Sequence, residues 1–262
     1  MTPSTTTEPY RFFQDGSSNE VKSRILNADP RSVEYEVLYF QISCIAATAR
    51  HILEYGKASW TDRYPKDWKS SEKFDTPFGM MPVLQIESDE GEATITESTV
   101  IDLFLAKKFD LLGSSEYEEQ TIKAFYSSIH FLRERCLQQM SWTWADKRKV
   151  AFEEWTTQYM PDWIRIHELH LERNGANGHF FGDKISVADI HFVSLLDHLA
   201  EVPRGDELVA LFRESPLLWK VRETVLQNKE IAEWRASEIF QNLVLGGKKV
   251  YSATAFEDKS EE

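Results

Sequence analysis

The apolar residues of this chain change their period once, and that change constrains the fold more than any other feature. Before "DLLGSS" (Asp110 to Ser115) they come in short runs rich in Val, Ile, Tyr and Phe, as in "VEYEVLYFQI" (Val33 to Ile42). Such runs read as strands, because β-branched and aromatic side chains suit a pleated, half-buried surface. Two helical stretches interrupt them. One is "AATARHILEYG", which Gly56 can stop; the other is "ESTVIDLFLAKKF", whose acidic start and basic end suit the helix dipole. From Glu116 to about Gln241 nearly every segment has helical spacing, including "EYEEQTIKAFYSSIHFLRERCLQQ" and "ISVADIHFVSLLDHLAE".

The pattern predicts a small mixed-sheet α/β domain over residues 31–113, followed by an all-helical domain over 114–245. Residues 1–30 are polar with little periodicity and predict a loosely held arm; the stretch 246–262, "GGKKVYSATAFEDKSEE", predicts a mobile tail. A net charge of −13 repels phosphate backbones, so no nucleic-acid partner is expected. No run approaches the ~20 apolar residues of a membrane helix, so no membrane partner is expected either. The two cysteines, Cys44 and Cys136, form no disulfide framework, and the N-terminus is not of secretory type; the expected compartment is the cytoplasm.

Local motifs carry the chemistry. In "FGMMPVLQI" (Phe78 to Ile86) Pro82 stands at the entrance to an apolar run, where its missing N–H confines it to a strand's first residue, an edge or a bulge. In "TESTVIDLF" Ser98 follows a short strand and precedes an apolar-periodic run, so it reads as an N-cap. The free N–H groups behind such a cap also form an anion site. "ISVADI" is a capping box in which Ser186 caps and Asp189 reaches back. "HELH" (His167 to His170) lacks the His-Glu-x-x-His spacing, and no metal is expected.

Four stretches, in this order and spacing, resemble the cytosolic glutathione transferases, most closely the tyrosine-type classes such as sigma and alpha: "LYFQISCIAATARHILEYG", "PFGMMPVL", "TESTVIDLFLAKKF" and "GDKISVADIHF". The resemblance implies a thioredoxin-like N-terminal domain, a helical C-terminal domain, glutathione as co-substrate and a homodimer. It implies that Met81, ahead of a cis Pro82, offers its backbone to the cysteinyl part of glutathione. Glu97 and Ser98 would take the γ-glutamyl end, and Trp68 with Lys73 (Lys69 in reserve) the glycyl end. Phe40, Ile42, Met140, Trp142 and Trp144 would line the pocket of an apolar second substrate, with the C-terminal helix near Phe240 as a lid.

The thiol of glutathione ionises near 8.5, so the protein must favour the thiolate, which a donated hydrogen bond does. Two hydroxyls fit that role: Tyr39, where tyrosine-type members carry theirs, and Ser43, where serine- or cysteine-type members place their active residue. Cys44 is a third, weaker candidate, as a thiol near a helix start; a free cysteine is more often buried filler. The sequence also departs from the family. Met80 replaces a polar residue that often holds the ligand, Ser43 and Ile45 stand where arginines are often found, and Ser128 falls near the position of the family's cross-dimer acid. Three functions stay open: conjugation of glutathione to an apolar electrophile, a glutathione-dependent cis/trans isomerase in specialised-metabolite biosynthesis, or a non-catalytic binding module.

Overall fold

The computed structural model describes residues 19–141 and 145–252. The first part is a four-stranded mixed sheet with helices on it. In chain order come α1 (Asn19–Asn27), β1 (Glu34–Leu38), α2 (Ala47–Tyr55), β2 (Ser59–Arg63), β3 (Val83–Ser88), β4 (Gly91–Thr96) and α3 (Ser98–Lys108). The sheet order is β2-β1-β3-β4. β1 and β2 run parallel, so α2 makes the crossover between them, while β3 pairs antiparallel with both β1 and β4. Alternation decides the faces: Tyr35 and Val37 of β1, with Leu84 and Ile86 of β3, go into the core.

The second part is helical: α4 (Glu116–Cys136), α5 (Ala145–Glu154), α6 (Met160–Arg173), α7 (Val187–Glu201), α8 (Gly205–Arg213), α9 (Pro216–Leu226), α10 (Lys229–Ala236) and α11 (Glu238–Ser252). A π-turn, Leu137–Ser141, continues α4, and a second, Trp155–Tyr159, joins α5 to α6. Pro161 is the second residue of α6, directly after the second of these turns, so the regular α-helical pattern of residues 145–173 is interrupted just ahead of it. α7 is buried on nearly every side and packs against α4, α8 and α2. Its start carries the expected capping box: Asp189 accepts from the Ser186 N–H at 2.7 Å and the Ser186 hydroxyl at 2.8 Å. Its other oxygen accepts from the Phe180 N–H at 2.8 Å.

The expectations at the two ends need correction. Residues 19–27, placed in a loose arm, form α1, which buries Ile25 against the sheet. It is tied there by Arg24–Glu90 at 2.6 Å and by Lys22 donating to the Glu92 carbonyl at 2.7 Å. Residues 246–252, placed in a mobile tail, are the second half of α11, and Tyr251 is fully buried. The Gly-Gly pair reads locally as a helix breaker. Here it permits close approach, because a Cβ on Gly246 would collide with the Gln41 carbonyl oxygen and one on Gly247 with the Glu201 carboxylate.

Candidate functional site

Strand register assembles the site. Leu38 at the end of β1 pairs with Arg63 of β2 and Val83 of β3, and Val83 pairs with Thr96 at the end of β4. The residues just beyond these pairs therefore gather at one edge of the sheet: Tyr39 after β1, Met81 and Pro82 before β3, Glu97 and Ser98 after β4. The Met81–Pro82 peptide is cis. Pro82 is buried ahead of the ladder, and Met81 is half-buried, with no backbone hydrogen bond of its own among the described residues. Its N–H and C=O are thus free to pair with an extended peptide. Met80, beside it, is 58% exposed.

The N-terminus of α3 differs from expectation. Ser98 is the first helical residue, and Glu97 occupies the cap position without a capping side-chain bond. Glu97 has φ +73° and ψ +120°, a conformation L residues rarely adopt. Such a backbone costs ~1–3 kcal/mol and persists only where its surroundings impose it. The Glu97 carbonyl accepts from the Ile101 N–H at 2.9 Å. The N–H groups of Ser98, Thr99 and Val100 have no helical partner and face out from the end of the helix, as an anionic group requires.

Tyr39 is buried, and the Cys44 thiol stands beside its hydroxyl. Burial first, and the neighbouring sulfur second, hold that hydroxyl well above its ordinary range, so it stays a proton donor. The Cys44 Sγ lies 3.0 Å from the Tyr251 hydroxyl on α11. Burial pushes the Cys44 thiol up, against the pull of both tyrosine hydroxyls. Ser43 is buried where a short 3₁₀ turn begins, and its side chain makes no capping bond there.

One organising residue carried no functional signal in the sequence. Arg50 of α2 is buried and pairs with Asp62 of β2, Nε to Oδ1, at 2.9 Å. Its remaining donors hold the loop after Tyr39: the Ile42 carbonyl at 2.6 Å, the Phe40 carbonyl at 3.3 Å and the Ser43 carbonyl at 3.4 Å. The guanidinium also lies 5.7 Å from the centre of the Tyr39 ring. Three carbonyls from one short loop converge on one planar donor, which sets the loop's shape. An arginine on an otherwise apolar helix face was the available clue.

The other expected residues divide. Phe40, 39% exposed, meets Trp68 edge-on at 6.0 Å, so the loops after β1 and after β2 share one wall. Lys73 is exposed in the short turn Glu72–Asp75, and Lys69 is exposed just ahead of it. Ile42 is half-buried beneath Gly246. Met140 is 1% exposed and belongs to the core, so it presents no face to an open pocket. Trp142 and Trp144 lie outside the described residues. Phe240 packs against His51 and Trp234, away from the Tyr39 loop; the part of α11 that covers this loop is Gly246 to Tyr251. Ser128 sits within the helical layer, bonded to His167 at 3.1 Å and Trp163 at 3.2 Å. Among the described residues, no group of three or more His, Cys, Asp or Glu could hold a metal ion. No described helix is long and apolar enough to cross a membrane.

Comparison with known proteins bears on this arrangement. Residues 130–238 match the family model described as glutathione S-transferase, C-terminal domain. The chain is 24% identical over 209 residues to the probable glutathione S-transferase 7 of Caenorhabditis elegans, an alignment covering 77% of this chain and 95% of that protein. In three dimensions it is similar to the sigma class glutathione S-transferase of Fasciola hepatica, with TM-score 0.68 at 19% identity, covering 80% of this chain and all of that one. It is also similar to the prostaglandin synthase D of Nilaparvata lugens, with TM-score 0.67 at 22% identity over 78% of this chain and 98% of that one.

Proposed function

This chain belongs to the cytosolic glutathione S-transferase family, and we propose that it activates the thiol of glutathione for attack on an electrophilic small molecule. The observation that carries the proposal is the edge of the sheet. There Tyr39, Met81 and the first residues of α3 follow or precede paired residues of neighbouring strands, which supports reading them as one site. In this reading the γ-glutamyl carboxylate binds the first N–H groups of α3, and Glu97 takes the ammonium. Met81 pairs with the cysteinyl backbone, and Trp68 with Lys73 borders the glycyl end.

The sulfur then takes the place beside the Tyr39 hydroxyl that the Cys44 thiol holds here. Because the Tyr39 hydroxyl keeps its proton, it donates to the thiolate and lowers the thiol pKa. The thiol proton leaves to solvent, and the sulfur lone pair forms a C–S bond. The displaced electron pair leaves with a leaving group or, on an activated double bond, is protonated at the neighbouring carbon. The chain would work as a homodimer, which sedimentation tests.

The test is the ultraviolet thiolate band of bound glutathione as a function of pH. The bound thiol should ionise below ~8.5 in the wild type, rise in Tyr39→Phe and stay unchanged in Ser43→Ala. A rise in Ser43→Ala alone would transfer the role to Ser43. A second reading is favoured by the exposed Met80 at the glutathione edge, where the residue adds no polar hold on the peptide. If the thiolate adds to a conjugated bond and leaves after rotation, the protein is an isomerase and glutathione is not consumed. Stoichiometry separates the two. No retention on immobilised glutathione would instead mark a binding module.

A further inference from the structure

A cavity of about 930 Å³ opens at the end of the sheet opposite Tyr39. Its walls are the turn after α1, the end of α2 and the end of α3. β1 leads from Glu34, paired with Ser59, to Leu38. The turns ahead of Glu34 and Ser59 therefore lie about one strand length, ~13 Å, from the Tyr39 edge. α1 packs on β3 and β4, whereas α2 and α3 pack on each other, and a gap is left between them. Lys108 crosses it, donating to the Ala28 carbonyl at 2.9 Å. A space of this size suits a small organic ligand.

The walls carry an apolar and a charged component. Tyr55, Phe104 and Phe109 are only half-buried there, and Leu26 joins them from α1. Phe109 is held against the end of α2, where a Cβ on Gly56 would come within 2.2 Å of its ring. Arg31, Lys57, Lys107 and Lys108 line the same cavity against two carboxylates, Asp29 and Asp110. That is a local positive surplus in a chain of net charge −13.

Lysines at helix ends commonly serve the last carbonyls of the helix. Here return hydrogen bonds of the backbone fill that role. At the end of α2, Lys57 has φ +53°, its N–H donates to the Glu54 carbonyl at 2.9 Å, and the Ala58 N–H donates to the Leu53 carbonyl at 3.0 Å. At the end of α3, Asp110 has φ +58°, and the Leu111 N–H donates to the Ala106 carbonyl at 2.8 Å. Lys57 pairs with Glu230 at 2.6 Å, and Asp29 accepts from the Arg31 N–H at 2.9 Å. The side chains of Arg31 and Lys107, from different walls, remain exposed with no hydrogen bond or ion pair among the described residues.

A phosphate monoester carries about −1.5 to −2 charge at pH 7 and three acceptor oxygens. It matches the local surplus, and a guanidinium fork and an ammonium both suit it. We propose that this cavity binds a small aromatic phosphate monoester, its ring against Tyr55, Phe104 and Phe109 and its phosphate between Arg31 and Lys107. The site lies apart from the Tyr39 edge and does not depend on the thiol-activation reading.

The test is calorimetric titration of the intact protein at pH 7.5 and low salt with 1-naphthyl phosphate, 1-naphthol and inorganic phosphate. The wild type should bind 1-naphthyl phosphate at least tenfold more tightly than either of the others. Arg31→Gln and Lys107→Gln should each weaken it at least threefold, and the double variant should lose the preference. Both side chains are exposed, so the variants should melt as the wild type does. Arg173→Gln, an exposed charge at the end of α6, should bind as the wild type does. Saturating glutathione should leave the affinity within twofold. In amide NMR spectra the ligand should shift Ala28, Gly56 and Lys107 and leave Met81 and Ser98 in place. Failure to bind, equal binding of the naphthol or of phosphate, a preference that survives in the double variant, an equal loss in Arg173→Gln, competition by glutathione, or shifts at Met81 and Ser98 instead would each overturn the proposal. Glutathione turnover is scored separately and judges only the thiol-activation reading.

Discussion

Replacing Arg50 by Met tests the claim that one buried guanidinium shapes the loop after Tyr39. The substitution keeps the apolar stem and removes the charge. It leaves Asp62 buried without its 2.9 Å partner and releases the carbonyls of Phe40, Ile42 and Ser43. Removing one partner of a buried pair costs about 3–5 kcal/mol. The loss has a ceiling, because Asp62 can take up a proton instead. Protonating an ordinary carboxylate at pH 7 requires about 4 kcal/mol, at 1.36 kcal/mol for each of roughly three pH units. At pH 5 the same step needs only about 1.5 kcal/mol. The lost loop bonds add about 1 kcal/mol at either pH.

The sign follows from Asp62. Burial already lifts its carboxyl above the ordinary range although Arg50 pulls it down, and removing Arg50 lifts it further. A carboxyl raised in the folded state destabilises the fold above its unfolded pKa, increasingly as pH rises towards the folded value, and ceases to do so as pH falls. Urea unfolding should therefore show Arg50→Met destabilised by about 4–5 kcal/mol at pH 7 and about 2–3 kcal/mol at pH 5. Arg50→Met combined with Asp62→Asn should recover about 2 kcal/mol or more at pH 7 and flatten the pH dependence. Glutathione affinity should fall in both, since the loop loses its tether either way. A deficit that is flat with pH, or that grows as pH falls, would refute the reasoning.

Other outcomes follow from the same contacts. Asp189→Ala orphans two buried N–H groups, of Ser186 and Phe180, and should cost about 3–5 kcal/mol. In scanning calorimetry that is a fall in Tm of about 6–20 °C; a change under 2 °C would contradict it. Glu97→Gly relieves the positive φ, so stability should move by no more than ~1 kcal/mol, while the Kd for glutathione rises several-fold through the lost carboxylate. The thiols of Cys44 and Cys136 are buried with their ionisation pushed up, so Ellman's reagent should label native protein slowly at pH 7. Tyr251→Ala should speed labelling at Cys44 and not at Cys136, read by mass spectrometry.

Much of the architecture is local information and was legible as such. Alternation in "VEYEVL" and "PVLQI" marks strands because one face of each packs on helices, and the capping box at Ser186 needs only three residues of spacing. Misreadings arose where distant contacts outweigh local preference. Glu97 rather than Ser98 takes the cap position of α3 in a backbone that no propensity favours. A polar arm folds as α1 because the sheet gives Ile25 somewhere to go.

By itself, then, the sequence determined the division into a sheet-bearing part and a helical part, the order of the strands and of the helices packed on them from α2 to α3, and the family-like motifs around Tyr39, Met81–Pro82 and Glu97–Ser98. Those follow from periodicity and short motifs, which act within a few residues. The tertiary structure alone decided that Arg50 ties the Tyr39 loop and that Tyr251 of a glycine-marked helix closes over Cys44. It alone left Arg133 in the interior with Nε and Nη1 unpartnered among the described residues. These depend on which side chains meet across long sequence separations, and burial, which sets the energy of every charge and hydrogen bond among them, exists only once the chain has packed.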